Sequence, residues 1–483
     1  MLDSARAGQE AVRGSVLRTA GYVAGLGLSL ISAPLLIRHL GKEGFAHYLV
    51  VISLVTIVAS VTEGGLNSIA LREYAARKGA DRAGVMRDLI GIRLTLSLAG
   101  GLLAVAVAAL FGYEDTLILG TAIAVTGQML QVFQTLLGTS LQGEMRFGWI
   151  TGLELVRQTV SVALIVTLVL VGAELLPFFA VPVVAGLATL SITLRITRRL
   201  IPLRPSFHFA RWMPLLRDSL PFAAAIAVSV VYFRVALLAM SLLASVAQTG
   251  YFAASFRVIE VLVGVPSLIA GAAFPILARA AAQGDEERLR YAAGRLLEGT
   301  LVLGTLLSLC LALGAKPVIA VVGGAEFAPS VPVLRIQGLA LMATCIAVSC
   351  GYVLLALHRH RAILLANAAA LVASIVLSVV LIPPLQADGG AIAVVLTEFT
   401  LAIMLVVMLL RARPSLRATF VRRPLAIIAM GAAASAVALI PGLPAVATTA
   451  LGALAFAGLL RLTGYFPPEV GELVRQRGRS RGV

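Results

Sequence analysis

The chain has 483 residues, 59% of them hydrophobic and only 13% charged, with a formal net charge of +16 and a mean hydropathy of +0.98. A soluble domain runs near half apolar and about a quarter charged, so this composition excludes one and points to lipid as the solvent. The apolar runs are continuous for about 20 residues rather than alternating over about ten, which excludes a membrane β-barrel and leaves a bundle of spanning helices.

Hydropathy predicts fourteen spans, near 15–37, 46–70, 90–111, 117–140, 152–172, 175–194, 218–240, 250–274, 296–314, 331–355, 362–382, 389–410, 425–440 and 443–460. The first is too long for a signal-peptide core and is expected to stay as span one. The 39 Lys and Arg fall almost entirely on alternate connections. Arg38, Lys42 and Lys316 stand on the other side, and Arg234, Arg257 and Arg335 lie within spans. This is the positive-inside pattern, so the basic charge reports topology rather than nucleic-acid binding, and both termini are expected in the cytoplasm. Spans thirteen and fourteen are short, and a hairpin dipping partway into the bilayer would leave the same sidedness at both ends. Cys310, Cys345 and Cys350 all fall in spans and read as buried apolar thiols, with no metal site.

The polar stretch 195–217, with Pro202, Pro205 and Pro214, divides the chain near its middle. Gly44-Phe45 enters span two and a basic segment ending at Gly79 follows. Gly250-Tyr251 enters span eight, and 279–284 follows at nearly the same distance. Two six-helix repeats related by pseudo-symmetry are a common transporter plan. The expected divisions are 1–200 and 201–412 for the two halves, 413–462 for an appended helix pair, and 463–483 for a basic cytoplasmic tail.

Four stretches carry a likeness to a known family: LGKEGFAHYLVVISLVTIVASVTEGGL (40–66), TGYFAASFRVIEVL (249–262), PVIAVVGGAEFAPSVPVLRI (317–336) and LIPPLQADGGAIAVVLTE (381–398). In their order and spacing the sequence resembles the polysaccharide (O-antigen-type) flippases of the multidrug/oligosaccharidyl-lipid/polysaccharide exporter superfamily. The resemblance covers roughly residues 15 to 410. It implies an all-α, V-shaped, alternating-access bundle with a polar, often cationic, central cavity. It also implies movement of an undecaprenyl-pyrophosphate-linked sugar to the outer leaflet of a bacterial inner membrane. The expected setting is a monomer in membrane lipid beside polymerase and glycosyltransferase machinery, with a proton or sodium gradient in place of any cofactor.

A charge at the bilayer centre costs at least about 2.5 kcal/mol on insertion scales, so ionisable residues within spans are functional candidates. Arg234 and Arg257 suit an anionic headgroup, because a guanidinium stays protonated and grips phosphate oxygens with two prongs. Arg257 can equally pair with Glu260, one turn away on the same face. Arg335 lies near an interface and can snorkel to water. Glu63 and Asn67 share a helical face, and a desolvated carboxylate can exchange a proton near neutral pH. Glu63 is therefore a coupling candidate, with a packing hydrogen bond as the alternative. The resemblance favours it, since an acidic residue is common before the Gly-Leu that ends the family's second helix. The acidic residue often found before the basic one in its seventh helix is here Phe233, preceding Arg234. Glu398 occupies a position the family often keeps acidic. Gln128, Gln131 and Gln134 form a broad stripe on span four that can bind sugar hydroxyls or tie helices together.

Other chemistries lack their residues. None of the three lysines sits in a Gly-Lys-Ser/Thr phosphate loop. No two of the seven aspartates form a DxD pair, and the five histidines do not cluster. No enzymatic activity is expected. The competing readings are a drug exporter of the same superfamily, which intramembrane arginines disfavour, a membrane-embedded polymerase or ligase, and a non-transporting scaffold. For the enzyme, the longest outer connection, 315–330, offers only Lys316 and Glu326.

Overall fold

The computed structural model describes residues 5–63, 65–201 and 204–465, and these form helices throughout, with no strand among them. In chain order they are α1 (Ala5–Glu63), α2 (Leu66–Ala76), α3 (Gly79–Leu110), α4 (Asp115–Gly143), α5 (Phe147–Leu170), α6 (Leu175–Phe178), α7 (Val181–Thr197), α8 (Phe209–Leu243), α9 (Val246–Gln283), α10 (Glu286–Val322), α11 (Ser330–Gly338), α12 (Ala340–Ala356), α13 (His360–Ala412), α14 (Arg417–Ser435) and α15 (Ala445–Leu462). They divide into two compact units, Met1–Arg234 and Val235–Val483, so the division falls within α8.

Two helices are far longer than a bilayer is thick, and both are broken. At about 1.5 Å per residue the 59 residues of α1 would run roughly three times the hydrocarbon thickness. Gly41 interrupts them at φ 66°, ψ −176°, a conformation that needs no Cβ. The 53 residues of α13 break at Gln386, φ 51°, just after Pro383 and Pro384. That break is stitched to the start of α9: Ser245 N donates to Gln386 Oε1 (3.4 Å) and Ala387 N donates to Gln248 Oε1 (3.4 Å). A Cβ on Gly389 would come within 2.0 Å of the Leu381 carbonyl, so the fold-back requires glycine there. The 381–398 stretch, one of the four that carry the family likeness, contains this fold-back.

In the first unit α1 packs on α3, α4 and α5, and α4 packs on α7. Small residues allow the close approach. A Cβ on Gly127 would sit 2.8 Å from the backbone of Pro182 and Val183, and Gly120 leaves room for the ring of Phe179. At one end Leu66, Tyr74, Met86, Leu89, Leu136 and Trp212 form a buried cluster. The segment before α8 is anchored there, with Ser206 N donating to the Arg87 carbonyl at 3.0 Å and its own carbonyl lying over Gly91.

In the second unit α9 packs on α10, α12 and α13. Gly304 of α10 faces the Leu341 carbonyl and Cys345 of α12, and Thr300 and Ser349 are 2.7 Å apart in a hydroxyl–hydroxyl bond between the same two helices. The pair α14 and α15 packs back on α10 through Leu301, Leu309, Ile427, Met430, Phe456 and Leu460.

Among the described residues eleven helical segments are long and apolar enough to span a membrane. The breaks in α1 and α13 divide two of them, which gives thirteen rods. The expected span fourteen is the candidate span Ala445–Leu462, whereas the expected span thirteen, 425–440, falls on Arg423–Leu439, a shorter apolar helix at the lower limit of length. The expected basic tail lies, beyond Tyr465, outside the described residues.

Candidate functional site in the membrane helices

In the first unit, polar chemistry gathers where α1 ends. Gly65 takes up φ 68°, a left-handed turn between Glu63 and the start of α2. A helix end strands carbonyls that would otherwise be bonded along the helix. Arg93 of α3 meets one of them, with Nη1 3.4 Å from the Glu63 carbonyl oxygen. Glu63 also supplies negative charge near the Arg93 guanidinium. Asn67 Nδ2 donates to Glu63 Oε1 at 2.6 Å, so the shared face expected for these two residues is realised as a bond. Arg93 is only 1% exposed, and Asp88, one and a half turns earlier on α3, is 4% exposed. The cluster retains unspent polar capacity: Asn67 Oδ1 and Arg93 Nε are buried with no hydrogen-bond partner, and so, on another face of α3, is Asp88 Oδ1. A helix break beside buried charges is how many secondary transporters build ion sites.

Arg234 of α8 lies in the same unit and is half-buried. Its Nη1 donates to Ser53 Oγ of α1 at 3.0 Å, and Ser53 is fully buried. Of the three glutamines on α4, Gln128 lines a recess of about 20 Å³ with Thr62 of α1 and Ser97 of α3, room for one water rather than a sugar ring. Gln134 Nε2 reaches Thr193 Oγ1 of α7 at 3.5 Å and so ties two helices. Gln131 is half-buried.

The second unit holds the other candidates. Arg257 Nη1 bonds Glu260 Oε2 at 2.6 Å along one face of α9, the pairing their spacing allowed. The arginine keeps 34% of its side chain exposed. Glu398 of α13 is 4% exposed and accepts a hydrogen bond from Thr344 Oγ1 of α12 at 2.7 Å. Arg335 is exposed in the last turn of α11. Arg234 on α8 and Arg257 on the next helix, α9, belong to different units, and each bonds a partner within its own.

Three buried charges escaped sequence reading. Arg93 and Asp88 lie at the margin of the predicted span 90–111, and marginal charges are naturally assigned to the adjoining loop. The helix α3 begins at Gly79, well before that apolar window, so both residues are packed inside it. Glu298 at the start of span nine is 7% exposed for the same reason, and Arg295 and Arg423 both bond it. The available signal was the length of helix beyond the polar end of each window. Among the described residues no group of His, Cys, Asp and Glu could hold a metal ion.

Broken spans with ionisable side chains inside them are a plan found in many membrane transporters. The chain belongs to the polysaccharide biosynthesis protein family, whose model matches residues 11–281. No curated protein matches it by sequence. Its fold is similar to that of a structure described as lipid II flippase MurJ in an inward closed conformation, with a TM-score of 0.76 at 14% identity over 93% of this chain and 98% of the other. It is also similar to an inward-facing multidrug resistance MATE family transporter of the MOP superfamily, with a TM-score of 0.67 at 14% identity over 84% and 98% of the two chains. A MOP superfamily transporter from Pyrococcus furiosus, described as having a binding pocket of reverse polarity, matches with a TM-score of 0.60 at 15% identity over 85% and 96%. The all-α fold with apolar spans expected from the resemblance is observed, with eleven to thirteen spanning helices among the described residues rather than a confirmed fourteen.

Proposed function

We propose that this chain is a flippase that carries a lipid-linked oligosaccharide precursor from the inner to the outer leaflet of a bacterial cytoplasmic membrane by alternating access. The observation that carries the reading is membership of the polysaccharide biosynthesis family together with an arginine, Arg234, held on a spanning helix by a buried serine. An undecaprenyl-pyrophosphate-linked sugar brings negative charge into hydrocarbon, and a guanidinium offsets it with charge-assisted, two-pronged hydrogen bonds. Arg257 serves the same headgroup, exchanging Glu260 for phosphate oxygens. Glu63 with Asn67 is the coupling candidate for a proton or sodium gradient, since its carboxylate sits at a helix break beside a buried guanidinium.

The likeness to a multidrug transporter supports a second reading, export of a small molecule. Arginines within the spans repel the cationic cargo such a role would require. Replacing Arg234 or Arg257 with Ala should reduce surface polysaccharide at least about tenfold, the effect of losing one charge-assisted bond. Membrane levels of the protein should stay normal. Unchanged export would remove these arginines from the headgroup site. Reconstituted vesicles offered a lipid-linked sugar and a cationic dye should move only the former, and movement of the dye alone would favour the drug exporter.

A further inference from the structure

The segment that joins α7 to α8, with the first turns of α8, belongs to none of the sites above. From Leu175 to Arg217 the sequence has six arginines and no Asp or Glu. Two contacts with α3 fix the depth of this segment. Ser206 N donates to the Arg87 carbonyl at 3.0 Å, and the Ser206 carbonyl lies where a Cβ on Gly91 would meet it at 2.0 Å. Trp212, 5% exposed, sets its ring against the same glycine and joins the buried cluster of Leu89 and Ile92. Hydropathy begins the expected span 90–111 at this level. The segment therefore lies where an apolar helix gives way to its polar end, the level of a membrane–water interface.

The other face of the segment turns away from the protein. Phe207 is 50% exposed, and Phe209 and Met213, one turn apart on α8, are each 66% exposed. The Phe209 ring leans on Trp212 with centroids 4.5 Å apart, so an exposed ring is mounted on a buried one. Arg204, Arg211 and Arg217 are exposed around them. Hydrocarbon alone would not call for the arginines, and water alone would not favour the aromatic rings. Large apolar side chains edged by cations suit a headgroup layer, where rings enter the acyl boundary and guanidiniums grip phosphate oxygens with two prongs. We propose that this segment docks on the phosphate headgroups of anionic phospholipids, in the leaflet on the basic side of the bilayer. The docking is independent of which cargo the transporter moves.

The test uses the full chain in vesicles of mixed phosphatidylglycerol and phosphatidylcholine, with one lipid or the other brominated on its acyl chains to quench tryptophan. The chain has two tryptophans, so Phe209→Trp in a Trp149→Phe background puts a reporter on the exposed face, and the parent background corrects for Trp212. Brominated phosphatidylglycerol should quench the reporter more than brominated phosphatidylcholine at equal mole fraction. Arg211→Gln should lower that preference about fivefold, the share of one arginine near an anionic surface, and so should Arg204→Gln. Quenching by phosphatidylcholine should stay unchanged in both variants, which separates loss of headgroup binding from a change in fold or depth. Equal quenching by the two lipids, or a preference that neither substitution moves, would overturn the proposal. So would a reporter that neither lipid quenches: red-shifted emission would then put the face in water, and blue-shifted emission would put protein over it.

Discussion

Arg93 combines the greatest burial with the least complete bonding of the charged residues at the α1–α2 break. Its side chain is 1% exposed, its Nη1 meets the Glu63 carbonyl, and its Nε has no partner. Arg93→Met keeps much of the volume and removes the charge, so Glu63 would lose its nearby counter-charge. Such a change is expected to destabilise the protein by about 3 kcal/mol, read as a fall in thermal midpoint in detergent. Adding Glu63→Gln should recover part of that loss, because the uncompensated carboxylate is then gone. An additive double variant would show that Arg93 acts through packing alone. Glu63→Gln by itself bears on coupling. If Glu63 carries the ion, the variant should lose the dependence of flipping on the proton or sodium gradient, and full gradient-dependent flipping would exclude the role. Sequence alone placed Glu63 and Asn67 on one face, and their bond follows from four-residue spacing. Arg93, just inside the predicted span 90–111, reads as part of the adjoining loop because it lies at the span's margin.

At the level of elements, glycine decides how closely helices pack. Lipid tails are as apolar as the side chains, so close backbone approach and polar bonds supply what hydrophobicity does not. The α4–α7 contact depends on Gly127, where a Cβ would meet the backbone of Pro182 and Val183 at 2.8 Å. Gly127→Leu should overpack this contact by about 1–3 kcal/mol, lowering the yield of monodisperse protein on size-exclusion chromatography. Gly152→Leu, where nothing lies within 4 Å of a Cβ, serves as the tolerated control. The glutamines of α4 illustrate the same limit of sequence reading. Their stripe was visible, but which of them meets another helix was not, and it is Gln134 that reaches Thr193.

Across the whole molecule, the number of crossings turns on α14 and α15. The structure packs both against α10, and the apolar part of the first, Arg423–Leu439, is short for a span. If both cross the bilayer, a fluorescent reporter fused after Val483 will glow in the cytoplasm. A cysteine placed at Leu439, which is 83% exposed, will then react with a membrane-impermeant thiol reagent from outside, in a background with Cys310 replaced by Ser. Protection of that cysteine together with a fluorescent C-terminus would identify a hairpin that dips partway.

The solvent, the helical class and the alternation of basic segments were all legible in the amino-acid order. Each is a one-dimensional property, a transfer free energy or charge summed over a local window. The family likeness was legible too, in four stretches whose glycines and prolines now mark a break at Gly41, a left-handed turn at Gly65 and a fold-back at Gln386. Tertiary structure alone decided the partners across helices. Arg234 bonds Ser53 some 181 positions away, Arg423 bonds Glu298 125 positions away, and Thr344 bonds Glu398. A buried polar group must find whatever partner the neighbouring helix presents at its depth, and that neighbour is chosen by the packing of the bundle rather than by distance along the chain.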